Sequence, residues 1–153
     1  MDAALMGTLV LPDGARLRAR GLGKPKPDGP EPEFGLYLGS PRMRAKYDAS
    51  LTWEHRWIRW PDFLLPRDRE GARREILGLH ARAVAGEAVE VACLGGVGRT
   101  GTVLACLVTL GGMGAEEAVS WVRENHHARA VETPWQRRWV RWFAEQGRGL
   151  RET

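Results

Sequence analysis

A cysteine, a glycine-rich stretch and an arginine follow one another closely near the middle of this chain. Cys93 comes directly after Val91-Ala92, five residues with three glycines separate it from Arg99, and Thr100 begins an apolar stretch that reaches Leu110. A strand, a tight loop and a helix N-terminus in this order bring several backbone N–H groups to one point, and the helix dipole adds positive potential there. The pattern therefore predicts an anion-binding loop.

Cys93 stands at the start of that loop, where positive potential favours negative charge. Cysteine thiols near helix N-termini and cations ionise readily, and the thiolate is the nucleophile. Arg99 offers a planar guanidinium that grips two oxygens at once, which favours phosphate as the anion. We therefore expect Cys93 to attack a group held by Arg99 and the loop backbone, whose phosphate-binding residues are Leu94, Gly95, Gly96, Val97, Gly98 and Arg99.

The stretch Cys93-x5-Arg99-Thr100 resembles the signature loop of the protein tyrosine phosphatase superfamily, and Gly96 to Gly101 is similar to its tyrosine-specific branch. Trp60-Pro61-Asp62 looks like the mobile loop that carries the general acid in that family. Arg129 to Gln136 looks like the later loop whose glutamine positions the attacking water.

This resemblance implies a cysteine-dependent phosphomonoester hydrolase, a protein tyrosine or dual-specificity phosphatase that works through a phosphocysteine intermediate. Asp62 would protonate the leaving oxygen and then deprotonate water. Thr100 would donate its hydroxyl to the sulfur, and Gln136 would orient the water. No metal or other cofactor is implied, and the sequence shows no cluster of metal ligands.

One departure from the family pattern concerns the residue before the nucleophile. The family usually has a histidine there that organises the loop, whereas this chain has Ala92. Without it we expect a less constrained loop and weakened catalysis. The alternative function is therefore a weakly active or inactive phosphatase-like protein that only binds phosphate groups.

Simpler interpretations exist for the same residues. Cys93 suits a small core position, and Asp62 suits a turn. Thr100 suits a helix cap, and Gln136 can simply begin a helix. Two rival activities are sulfurtransfer, for which Trp60-Pro61-Asp62 has no role, and RNA 5′-phosphate hydrolysis, which shares the signature.

Substrate choice is constrained by the loop and by chain length. Relatives that act on phosphoinositides commonly carry lysines within the signature loop, and residues 94–98 hold no charge, which favours a monophosphate ester of a phosphoprotein or phosphopeptide. The segment 40–54 leaves little room for a deep slot, although Tyr47, Trp53 or Trp57 can stack on a phenyl ring or belong to the core. A basic rim would attract acidic phosphopeptides, or would simply be solvated, and comprises Arg42, Arg44, Lys46 and Arg129.

Composition favours one ordinary globular domain spanning residues 1–153, with an N-terminal hairpin and proline-rich connector (1–33) and a catalytic core (34–146). The net charge of +4 suits anionic partners such as phosphate, sulfate or vanadate, while nucleic acid is weakly supported. No run approaches a membrane span and residues 1–11 lack a signal-peptide pattern, so we expect a cytoplasmic protein without membrane contact. The oligomeric state stays open.

Hydrophobic periodicity predicts the elements that position the loop. Strands are predicted at 8–11, 15–18, 34–38, 57–60 and 89–92, the first two forming a hairpin around Pro12-Asp13-Gly14. Helices are predicted at 69–85, 100–110, 115–125 and 134–146. Strands between helices predict an α/β fold, a three-layer sandwich with a short, mainly parallel central sheet flanked by helices. The reactive loop would lie at the C-terminal end of its strand.

Overall fold

A five-stranded sheet runs through the centre of the molecule. The computed structural model describes residues 5–152, with side chains through residue 147. In the order β1-β2-β5-β3-β4, β1 is antiparallel to β2 and all other neighbours are parallel. The strands are Thr8–Val10 (β1), Arg16–Gly21 (β2), Phe34–Gly39 (β3), Glu54–Arg59 (β4) and Val89–Cys93 (β5). The predicted α/β fold with a short, mainly parallel sheet is confirmed.

Helices cover both faces of this sheet, with α1 on one face and the longer helices on the other. In the part of the chain that the structure describes, they are α1 (Pro41–Tyr47), α2 (Arg69–Val84), α3 (Gly98–Leu110), α4 (Ala115–Asn125) and α5 (Pro134–Glu152), and a short 3₁₀ helix, Asp48–Ser50, follows α1. Helix α1 is not predicted by the sequence pattern, because seven residues are too few to show a helical period. Its start is nevertheless encoded locally: Ser40 Oγ accepts the N–H of Met43 (3.2 Å), and Pro41 occupies the first turn.

The larger core lies on the face covered by α2 and α3, with α4 and α5 packed behind α3. Helix α3 is buried from Gly98 through Thr109, as expected for a helix that is apolar on all sides. Because α3 is enclosed by sheet and helices, its N-terminus and the loop before it are held in a rigid frame.

The opposite face carries a smaller core, which comprises Leu22, Tyr37, Met43, Leu51 and Ala92. The Trp53 indole packs against this cluster and donates to Tyr37 Oη (2.7 Å). Trp57 also packs there and donates to Asp48 Oδ1 (2.8 Å). Tyr47 lies partly buried against the same cluster. These aromatic side chains therefore belong to the packing beneath α1.

A buried carboxylate ties three strands together on this face. Glu90 of β5 is fully buried and bonds to Arg18 (2.7 Å), Arg20 (2.8 Å) and Tyr37 Oη (2.6 Å). Burial alone would raise the pKa of Glu90, but hydrogen bonds from Arg20 and Tyr37 and the charges of both arginines hold it below its usual value. Burial and the neighbouring carboxylate raise the pKa of Tyr37, which therefore stays neutral.

The N-terminal hairpin forms as predicted, around Pro12-Asp13-Gly14. Leu11 and Ala15 close the turn (2.8 Å), and Asp13 accepts the N–H of Ala15 (2.9 Å). Strand β2 then pairs in parallel with β5, so it lies directly beside the strand that ends in Cys93. Among the described residues, no helix has the length and apolar character needed to cross a membrane.

Candidate active site

The predicted anion-binding loop lies between β5 and α3, at the C-terminal end of a central strand. Cys93 is the last residue of β5, and Gly98 is the first of α3. The chain after β2 runs alongside the start of the loop, because Leu22 donates to Cys93 O and Gly23 donates to Leu94 O (both 2.9 Å). The loop is thus an extension of the sheet on one side and the cap of α3 on the other.

Gly96 is the position in this loop where only glycine fits. Its φ is +75°, and a Cβ would lie 2.7 Å from backbone atoms of Arg20 and Gly21. The close approach to β2 bends the loop back on itself. The spacing of glycines that predicted an anion-binding loop therefore has a direct structural reason at this residue.

Cys93 is buried at the base of the loop. Its Sγ accepts the N–H of Gly96 (3.2 Å), and its own N–H donates to Thr100 Oγ1 (2.9 Å). The bond to Thr100 closes the loop across its ends, and the bond from Gly96 folds the middle of the loop back over the sulfur. The expected donation from the Thr100 hydroxyl to sulfur stays a prediction, and the structure shows that hydroxyl accepting the Cys93 N–H.

Arg99 joins the loop to the segment predicted to carry the acid. Its guanidinium is buried, donates to Trp60 O (3.0 Å), and lies 3.4 Å from Asp62 Oδ1. Its Nε is buried without a hydrogen-bond partner among the described residues. A buried cation with an unused N–H at the mouth of an amide-lined loop is suited to hold an oxyanion.

Asp62 lies on a turn that is anchored from below. The Trp60 indole is fully buried, donates to Leu64 O (2.8 Å), and packs on Trp139 with ring centroids 5.4 Å apart. Asp62 itself is exposed and accepts the N–H of Phe63 (3.0 Å). Phe63 has φ +59°, a strained conformation for a residue with a side chain. A rigid anchor therefore carries a solvent-facing carboxylate beside Arg99.

Gln136 lies fully buried in the first turn of α5. Its Oε1 accepts the N–H groups of Glu132 (2.9 Å) and Thr133 (3.2 Å), while its Nε2 has no partner among the described residues. Because two N–H groups donate to the same atom, that atom is the carbonyl oxygen Oε1, and the other end of the amide is a buried N–H₂ without a partner among the described residues. The expectation that Gln136 orients the attacking water stays a prediction.

The basic residues expected to form a rim are all exposed. Arg42, Arg44 and Lys46 lie on α1, whereas Arg129 lies between α4 and α5. They come from different elements, and the Arg129 N–H bonds locally to His127 Nδ1 (3.0 Å).

Two side chains near the site were missed by the sequence analysis. His126 Nε2 lies 2.7 Å from Gly96 O, and Trp135 Nε1 donates to Phe63 O (2.5 Å). Each contact joins segments that are distant in sequence, so no local sequence pattern predicts it. The only available hint was that Trp135 adjoins Gln136 in the segment that resembles a catalytic loop.

A family model described as the Swiss Army Knife protein, DSP-PTPase phosphatase domain, matches residues 67–144. The chain belongs to this phosphatase family. The matched segment includes Cys93, Arg99 and Gln136 but not Asp62, so the family match does not reach the segment predicted to carry the general acid. No curated protein is significantly similar to this chain.

Solved phosphatase structures share the fold. Tk-PTP in its active form is 24% identical, with a TM-score of 0.65 over 76% of this chain and 80% of its own. Kinase associated phosphatase with its catalytic-site cysteine replaced by serine is 15% identical, with a TM-score of 0.73 over 97% and 98% of the two chains. PTPMT1 in complex with PI(5)P is 14% identical, with a TM-score of 0.63 over 78% and 80%. At these identities the likeness shows the fold alone.

Proposed function

We propose that this protein is a cysteine-dependent phosphomonoester hydrolase that acts on phosphotyrosine, or on phosphotyrosine together with phosphoserine and phosphothreonine. The observation that carries the proposal is the position of Arg99, whose buried guanidinium stands between the loop that begins at Cys93 and the carboxylate of Asp62 (3.4 Å). Nucleophile, anion holder and acid thus come from two segments that meet at one side chain.

The reaction proceeds in two steps, formation of a phosphocysteine and its hydrolysis. Cys93 Sγ forms a bond to phosphorus as the ester P–O bond breaks, and Asp62 gives its proton to the leaving oxygen. Water then forms a P–O bond as the S–P bond breaks, and Asp62 takes a proton from that water. The loop N–H groups and Arg99 stabilise charge on the non-bridging oxygens in both steps. The unpartnered Nε2 of Gln136 is available to orient the water.

The charge of the loop favours a simple monoester over a polyphosphorylated head group. Residues 94–98 carry no charged side chain, so nothing within the loop itself would meet a second phosphate. PTPMT1, one of the fold relatives, is described with PI(5)P. An uncharged loop supports a phosphoprotein substrate for this chain instead.

The decisive experiment is turnover of p-nitrophenyl phosphate by the native chain, Cys93→Ser and Asp62→Ala. We expect measurable hydrolysis that is abolished by Cys93→Ser, because serine at this position is not ionised, and reduced by Asp62→Ala. Cys106 serves as the matched control: it is fully buried in α3, and Cys106→Ala should leave turnover near the native rate.

Native turnover no greater than that of Cys93→Ser would refute the enzymatic proposal. Binding of tungstate in that case would establish the alternative, a phosphate-binding relative without turnover. Phosphotyrosine and phosphoserine peptides compared at equal concentration would then assign the substrate preference of an active protein.

A further inference from the structure

An imidazole holds the signature loop from outside. His126 caps the C-terminus of α4, where its N–H donates to Val122 O (2.8 Å), and its Nε2 lies 2.7 Å from Gly96 O. The backbone of His126 is therefore anchored to the helix while its ring reaches the middle of the loop. The contact couples two elements that are thirty residues apart in sequence.

Gly96 is the loop residue that most needs such a contact. Its close approach to Arg20 and Gly21 and its φ of +75° require glycine. Glycine also lacks the steric barriers that restrain other residues, so the peptide plane between Gly96 and Val97 rotates at little cost. Gly96 is thus both the residue where the loop packs most closely against β2 and the residue whose backbone has the greatest conformational freedom.

The orientation of this peptide decides whether one N–H faces the anion. In a planar trans peptide the carbonyl and the following N–H point in opposite directions. With Gly96 O turned to His126, the N–H of Val97 points away from the imidazole. The carbonyls of Cys93 and Leu94 are held by backbone N–H groups of residues 22 and 23. Gly96 O, by contrast, is held by a side chain.

His126 donates without adding a charge to the loop. Burial lowers the pKa of His126, and the nearby His127 and Lys24 lower it further, whereas the bond to Gly96 opposes them. The ring is therefore neutral near pH 7 and carries one N–H. Since Nε2 faces a carbonyl oxygen, Nε2 is the nitrogen that must carry it.

We propose that His126 is a positioning residue that locks the Gly96–Val97 peptide so that the Val97 N–H faces the phosphoryl oxygens. The proposal rests on the function proposed above. The residue before Cys93 is Ala92, which lies in the smaller core. The phosphatases that this chain resembles usually have a histidine at this position that organises the loop. In this chain the organising imidazole comes from the end of α4.

The test compares His126→Leu, which has no donor, with His126→Gln, whose amide N–H₂ reaches approximately as far as Nε2. His127→Leu is the matched control, because His127 adjoins His126 and its Nδ1 bonds to the Arg129 N–H instead of the loop. The readouts are tungstate affinity by calorimetry, kcat and KM with p-nitrophenyl phosphate, and the urea midpoint of each variant.

We expect His126→Leu to weaken tungstate binding about tenfold and to lower kcat/KM by a similar factor, since one N–H to an oxyanion is misdirected. His126→Gln should recover tungstate affinity to within about threefold of native, and His127→Leu should match the native chain. Recovery by glutamine separates a donated hydrogen bond from simple filling of space.

The outcomes separate this inference from the proposed function. Native turnover with unchanged tungstate affinity in His126→Leu overturns the inference and leaves the function standing. A tungstate affinity of His126→Gln that is no higher than that of His126→Leu also overturns the inference. If His126→Leu loses tungstate affinity and the native chain shows no turnover, the inference is supported and the proposed enzymatic function is refuted. A native chain that neither binds tungstate nor turns over overturns both.

Discussion

At the scale of single residues, Arg99 and Asp62 have more than one possible partner. Arg99 donates to Trp60 O and approaches Asp62, while its Nε is left unpaired. Because a bound phosphate offers several oxygens, it would compete with Asp62 for the guanidinium. Release of Asp62 from Arg99 by substrate would free the carboxyl group to donate to the leaving oxygen.

Asp62→Asn should therefore depend strongly on the leaving group. With an alkyl ester such as a phosphoserine peptide, whose leaving oxygen needs a proton, we expect kcat to fall by about 10²-fold or more. With p-nitrophenyl phosphate, whose leaving group is stable as an anion, the loss should be much smaller. Steady-state kinetics on both substrates measure the difference.

Asp28→Asn is the control for this change, because Asp28 is an exposed carboxylate in the connector before β3. It should alter neither rate. Equal losses on the two esters would assign Asp62 a role other than proton donor.

At the scale of elements, two tryptophans donate to adjacent backbone carbonyls in the segment after Asp62, which is predicted to carry the general acid. Trp60 anchors it from below through Leu64 O, and Trp135 at the start of α5 donates to Phe63 O from the other side. Phe63 has a positive φ, which costs free energy for a residue with a side chain. The Trp135 bond offsets part of that strain, so α5 stabilises the loop conformation that keeps Asp62 beside Arg99.

Trp135→Phe keeps an aromatic ring and removes the N–H donor. We expect kcat with p-nitrophenyl phosphate to fall about fivefold, because one hydrogen bond of about 1 kcal/mol no longer favours this loop conformation. Tungstate affinity measures the signature loop separately and should change less than kcat.

Trp121→Phe provides the comparison, since Trp121 lies on α4 and is partly buried against the larger core. Its kcat should equal the native value. An unchanged kcat in Trp135→Phe would show that Trp60 alone sets the loop conformation.

At the scale of the whole molecule, the sheet is joined through the buried charges of Glu90, Arg18 and Arg20. Arg18 and Glu90 are register partners on β2 and β5, and Tyr37 reaches the same carboxylate from β3. Removal of the carboxylate would leave two arginines without their anion in the strand pair that leads to Cys93. The cluster therefore contributes to stability in a way that surface ion pairs do not.

Glu90→Gln should lower the free energy of unfolding by about 3 kcal/mol at pH 7, measured by urea titration. The pKa of Glu90 lies below its usual value in the fold, so its contribution is complete above the unfolded value near 4.5 and is lost as pH falls through the folded value. The difference between native and variant should therefore narrow in acid.

Glu75→Gln removes the Arg56 ion pair, whose arginine is largely exposed, and should cost less than about 1 kcal/mol. A Glu90→Gln loss no larger than this would mean that solvent reaches the cluster.

The sequence by itself determined the elements with strong periodic patterns and the loop between them. The hairpin around Pro12-Asp13-Gly14, helix α2 and the strand–loop–helix at Cys93 follow from turn residues, 3.6-residue spacing and glycines close together in the chain. The sequence did not reveal α1, which depends on a cap and on packing against β3 rather than on a long pattern.

Only the tertiary structure decided how the site is held. Contacts between His126 and Gly96 O, between Trp135 and Phe63 O, and between Arg99 and Asp62 join residues 30, 72 and 37 positions apart. Local preferences act over a few residues, whereas these contacts arise when packed helices bring distant backbone carbonyls and side chains together. The chemistry of the loop could therefore be predicted from one continuous segment of the sequence. The side chains that orient the loop could not, because they come from distant segments.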